Sequence, residues 1–122
     1  MAQVPLNHFV RTSTLLGTTY TQVYSAPAQT ASIMLTILAT NLTNTTQTIN
    51  IAVSGNGSPD LTTPTLPLYS LVNNFSIPAN DVTNLAVGKI VIQNYDALYC
   101  YAGNASAVNL TCSILETLNT TS

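Results

Sequence analysis

Charge is what this sequence lacks. Of its 122 residues only Arg11, Lys89, Asp60, Asp81, Asp96 and Glu116 are formally charged, 5% of the chain where a typical soluble domain carries about 25%. Two cations make no basic patch, which excludes nucleic acid as a partner, and no polybasic membrane address exists either. Histidine occurs once, at His8, and neither a CxxC spacing nor a histidine cluster is present, so neither a metal nor any cofactor is expected. The acids sit singly, with Asp60, Asp81 and Asp96 in turn contexts. They form neither the converging pair of a glycosidase nor the oxygen-rich run of a calcium loop. GxSxG is absent, and Gly55-Asn56-Gly57 is followed by no phosphate-binding lysine. The residues therefore read as non-enzymatic. No apolar run approaches the roughly 20 residues of a membrane helix, so no membrane partner is expected. The opening MAQVPLNHFV lacks the basic and apolar regions of a signal peptide, and synthesis in a cytoplasm without export is expected.

Thr, Asn and Ser stand where charges would be, and 46% of the chain is apolar, enough for one folded domain with a real core. So little charge gives weak colloidal protection, which favours a subunit held inside an assembly.

The apolar residues alternate with polar ones at the period of a strand. Val108, Leu110, Cys112 and Ile114 share one face of a final strand, and Leu98 and Cys100 the apolar face of the strand before it, with Tyr99 and Tyr101 on its polar side. The two are expected to pair through a turn at Gly103-Asn104. Further strands are expected over 9–16, 18–24, 31–40, 48–53, 66–72, 75–77 and 90–92, separated by Gly, Pro and Asn clusters, the longest loop covering 54–64. Helix is excluded by β-branched residues and the missing 3.6-residue period. The sum is an all-β single domain of about eight short strands, an antiparallel β-sandwich of jelly-roll type. An N-terminal arm (1–9) precedes the sandwich (10–116), and a polar tail (117–122) follows it.

The stretch 31–40 is apolar on both faces. Ile33, Leu35, Ile37 and Ala39 are expected to face the core, which leaves Met34 and Leu38 to be covered by the loop around 66–72 or by another subunit; these two are the candidate interface residues. Cys100 and Cys112 are expected to be free and buried, since each falls on an apolar face and a short turn would set Cys100 nearer Asn109. Asn-X-Ser/Thr sequons at Asn41, Asn44, Asn56, Asn74, Asn104, Asn109 and Asn119 read as coincidence in a chain crowded with Asn and Thr. Six tyrosines leave open a use in sugar stacking or at interfaces.

An ordered set of short motifs carries a family likeness. TTYTQVYSAPA at 18–28 comes first, then the apolar strand at 33–41 paired with 49–53, then Ile77-Pro78-Ala79, GKIVI at 88–92 and Ser113-Ile114-Leu115-Glu116. In this order the chain resembles small virion structural proteins of tailed bacteriophages. It departs from them at Tyr95-Asp96, where Gly-Asp is usual, and in its two cysteines and dense tyrosines. The resemblance implies a β-sandwich located in the virion that cements or decorates a capsid as a homotrimer, contacting itself and other virion proteins such as the major capsid protein. The alternative it implies is a tail or neck module that recognises host glycans, for which Tyr99 and Tyr101 are the candidate contacts.

Overall fold

A computed structural model describes residues 7–27, 29–55, 69–86, 90–93 and 96–118. Among them run nine strands: β1 (Asn7–Leu15), β2 (Thr21–Ser25), β3 (Thr30–Asn41), β4 (Gln47–Gly55), β5 (Tyr69–Ile77), β6 (Val82–Asn84), β7 (Ile90–Ile92), β8 (Asp96–Ala102) and β9 (Val108–Leu118). One antiparallel sheet has the order β1-β9-β3, with β6 and β7 following one another along the far edge of β3; the other has the order β2-β8-β4-β5. Only β4–β5 and β6–β7 stay within a sheet; every other connection crosses to the opposite one. With β6 and β7 taken as one broken strand, this is the eight-stranded jelly roll.

Both sheets turn an apolar face inward. Met34, Ile37, Leu110, Cys112 and Ile114 meet Ile49, Ile51, Leu98 and Cys100 across a single core. The two thiols are free and buried. Burial pushes the Cys112 thiol up to about 11, partly offset by a hydrogen bond with Thr12, and pushes Cys100 higher still with Cys112 close by.

The last two strands do not pair with each other, contrary to the hairpin expected from their sequence. β9 lies between β1 and β3, while β8 lies between β2 and β4 in the opposite sheet. Alternation specifies which residues share a face, and two oily faces meet equally well side by side or across a core. Backbone hydrogen bonds fix the crossing: Leu16 donates to Val108 O (3.0 Å), Ser106 to Leu16 O (3.0 Å) and Ala102 to Gly17 O (2.9 Å). The stretches 33–41 and 49–53 likewise fall in opposite sheets, joined through Asn41. Its buried amide donates to Thr45 O (2.7 Å), Ile77 O (3.0 Å) and Pro78 O (3.1 Å), and its Oδ1 accepts from Thr43 N (2.9 Å) and Thr43 Oγ1 (2.7 Å). A side chain so engaged has no use as a glycan acceptor.

Other expectations shift at their edges. Residues 7–9, taken as arm, are the start of β1, and Thr117 and Leu118, taken as tail, end β9. Residues 69–77 form one strand, kinked near Asn74, whose φ is +54° and whose N–H donates to Asn50 Oδ1 (2.8 Å). The rest of the arm (1–6), most of the long loop with the start of its following strand (56–68) and the end of the tail (119–122) lie outside the described residues, as do Lys89 and the sequons at Asn56 and Asn119.

A correction concerns β3. Its register against β9 slips between Met34 and Thr36, so Leu35 is an extra residue and the strand changes phase there. Asn84 holds the slip open from the side: its Oδ1 accepts from Ile37 N (3.2 Å) and Ala86 N (3.1 Å), while Leu85 N donates to Ile37 O (2.8 Å). Met34 is therefore core, 0% exposed, whereas Leu38 is 37% exposed on the outer face. Ile33 and Leu35, expected inside, are half-buried and absent from the core cluster. Met34→Lys, which buries a charge, is expected to cost more than about 4 kcal/mol and abolish folding, while Leu38→Lys stays within about 0.5 kcal/mol. Urea unfolding of the two variants checks this; equal losses would contradict the phase change.

Candidate functional site

Three features stand out beyond the core. The first is polar. Register places His8, Glu116 and Ser32 side by side across β1, β9 and β3, on the inner face at one end of the sandwich. His8 Nε2 lies 2.9 Å from Glu116 Oε1, with His8 56% exposed and Glu116 buried. From the opposite sheet Tyr24 of β2 donates its hydroxyl to Glu116 Oε2, and Ser32 Oγ, 2.6 Å away, donates to the Tyr24 oxygen in turn. Burial, and then the carboxylate it serves, push the Tyr24 phenol well above its ordinary value, so it remains a donor. The carboxylate thus has a partner on each oxygen and ties β9 to β1 in its own sheet and to β2 in the other. The arrangement is a clasp between sheets.

The sequence gives His8 no site role, and the cluster as a whole does not show in it. A signal existed. Glu116 is in phase with Val108, Leu110, Cys112 and Ile114, so a carboxylate sat on the apolar face and had to find donors there. Its partners lie 92 and 108 residues away in the chain, beyond the reach of any spacing rule.

The second feature is apolar. On the outer face of the β1-β9-β3 sheet, Phe9 pairs with Leu115, Leu115 with Ile33, and Ile33 with Val91, a row that crosses four strands in register. Phe9 is 77% exposed, Val91 is exposed, and the two between are half-buried. Leu38 lies on the same face beside Thr111 and Asn84. Arg11 is the charged residue this face presents among those described. The face of β3 that needs cover thus consists of Ile33, Leu35 and Leu38; Leu38 keeps its expected place and Met34 does not.

The third is a cavity of about 590 Å³ at the edge where β5 faces β6 and β7. Ile37 and Ile51 form its floor, and Leu71, Phe75, Leu85 and Ile90 its walls. Its size is that of pockets which hold small molecules or a partner's side chain.

The tyrosines proposed as glycan contacts are not a pair. Tyr99 is 0% exposed, on the outer side of β8 opposite Gln22 and Ala52, so a sugar cannot stack on it, contrary to its expected role as a glycan contact. Tyr101 is half-buried and meets the edge of Tyr20, their ring centroids 4.7 Å apart and planes at 87°. No group of three or more potential metal ligands occurs among the described residues.

No protein-family model and no curated protein matches the chain. A solved structure of the T13 IBDV viral particle is similar over 93% of this chain, at 10% identity and a TM-score of 0.37; the chain spans 31% of that protein's length. The jelly-roll assignment rests on the strand order itself.

If the clasp acts as a unit, Tyr24→Phe and Glu116→Gln couple. A double-mutant cycle in urea is expected to give an interaction energy of about 0.5–3 kcal/mol, and strictly additive losses would show that the two groups are independent.

Proposed function

We propose that this chain is a non-enzymatic structural subunit of a virion, of the cement or decoration kind, which stabilises a particle by contacts with copies of itself and with neighbouring shell proteins. The observation that carries the reading is a jelly roll whose outer face remains apolar, from Phe9 through Leu115 and Ile33 to Val91, in a chain with six formal charges. Jelly rolls serve in viral shells, lectins and cupins. One histidine cannot supply a cupin's ligand set, and the tyrosine pair a lectin reading relied on is divided between a buried ring and a partly covered one. The shell reading uses what the surface does present. It also agrees with the resemblance to tailed-phage virion proteins carried by the motifs between 18 and 116.

The mechanism is burial. Each Å² of apolar surface removed from water contributes about 25 cal/mol, from which the cost of ordering the partners is subtracted. A scarcity of charge keeps the desolvation cost of such a face low. Quantitative mass spectrometry of purified particles tests the reading. A copy number comparable to that of the shell subunit is expected, a handful of copies would move the chain to tail or neck, and absence from particles would overturn the proposal.

A further inference from the structure

From the placement of Phe9 and the edge cavity we infer that copies of this chain join head to tail, Phe9 of one copy entering the cavity of the next. The inference deepens the virion-subunit reading and rests on it. Its first ground is position. β1 and β2 form one edge of the sandwich, and β5 with β6 and β7 the opposite edge. The most exposed large apolar side chain among those described, Phe9, sits on the first edge, and the cavity opens on the second. A knob and a hole on opposite edges cannot satisfy each other within one molecule, and between two copies set edge to edge one knob meets one hole. They make a heterologous contact, which closes into a ring when the rotation between copies allows.

The second ground is chemical fit. The cavity reaches the core at Ile37 and Ile51, has largely apolar walls, and no charged residue lines it among those described. It suits an uncharged aromatic ring better than any ionic ligand. Leu71 and Phe75, both exposed, lie at its β5 side and would be covered with it. Val91, the far end of the apolar row, follows Ile90 of the cavity wall, so the row of one copy would continue into that of the next.

The third ground is charge. Arg11 is exposed on β1 and Asp81 is exposed just before β6, and neither has an ion-pair partner among the described residues. Asp81 uses Oδ1 to accept from Val82 N (2.8 Å), which keeps the carboxylate at that edge. β1 runs parallel to β3, and β6 runs against it, so Phe9 to Arg11 and Asn84 to Asp81 point the same way along the sandwich. At about 3.3 Å per residue the two steps cover about 7 and 10 Å, a difference an arginine side chain spans. A copy docked in the same orientation, with Phe9 in the cavity, therefore brings Arg11 to Asp81 of its neighbour. Opposite charges on opposite edges give the contact its direction and register.

Introduced-cysteine probes test this with the full chain, since Cys100 and Cys112 are buried, and the unsubstituted chain serves as the control for their reaction. Asn7→Cys, exposed beside Phe9 on the same face of β1, and Asn73→Cys, exposed on the β5 side of the cavity, leave the knob and the apolar walls in place. The two chains, one of them mass-tagged, are mixed and treated with a short bis-maleimide. The expected product is the mixed Asn7→Cys/Asn73→Cys dimer, with little product from either variant alone. Phe9→Ala on the Asn7→Cys chain is expected to lower its yield several-fold, as is Arg11→Asp or Asp81→Arg alone, and a chain carrying both charge swaps to restore it. Asn7→Cys homodimers as the main product would replace the head-to-tail contact with a two-fold one and overturn the inference, and so would the absence of any cross-link. Incorporation into particles is scored on the same variants. A chain that enters particles at normal copy number without the mixed cross-link leaves the virion reading intact and removes this contact.

Discussion

Strand β3 carries more apolar surface than one core can cover. Met34, Ile37 and Ala39 fill the interior between the sheets, and Ile33, Leu35 and Leu38 remain on the other side. The bulge at Leu35 makes this division possible, because it lets inward residues run in steps of two on either side of a single slip. Much of the molecule is arranged around that strand. β9 pairs along one of its edges, β6 and β7 share the other, and Asn84 supplies the acceptor that the broken edge would otherwise lack at Ile37. Leu85, just past β6, and Ile90, the first residue of β7, line the cavity together with Ile37, so the pocket lies beside the bulge.

The two ends of the sandwich are held by polar groups of different design. At one end Asn41, neutral and buried, satisfies backbone groups of two crossings at once. At the other, Glu116 is held by donors from both sheets, Tyr24 across the core and His8 beside it. Buried polar groups with every partner in place specify one arrangement, since each alternative register leaves an unpaired group behind. In a jelly roll, where six of the connections change sheet, such end pieces fix which crossing is made.

How much of this was legible in the sequence depended on range. Alternation in 108–114 and in 97–101 showed strands and their inward residues, and it placed both cysteines in the core. It could not show which strands are neighbours, because Leu98 and Leu110 look alike whether they lie side by side or face each other. Phase was lost at Leu35, where neither Gly nor Pro marks the slip; the residue that stabilises it, Asn84, comes from another strand. Alternation alone therefore puts Met34 on the second face, in need of cover, and Ile33 in the core. Tyr99 was read as exposed from its position in the alternation, yet it is covered on the outer side of its sheet. The clasp and the cavity both join residues far apart in the chain. Only Glu116, a carboxylate in step with apolar neighbours, announced one of them.

The central claim is that the outer apolar face exists to be covered by other copies. Its most direct test is the native mass of the purified full chain, measured by sedimentation velocity across a dilution series. A discrete closed oligomer that dissociates on dilution is expected. A chain that remains monomeric up to the limit of its solubility would contradict the claim.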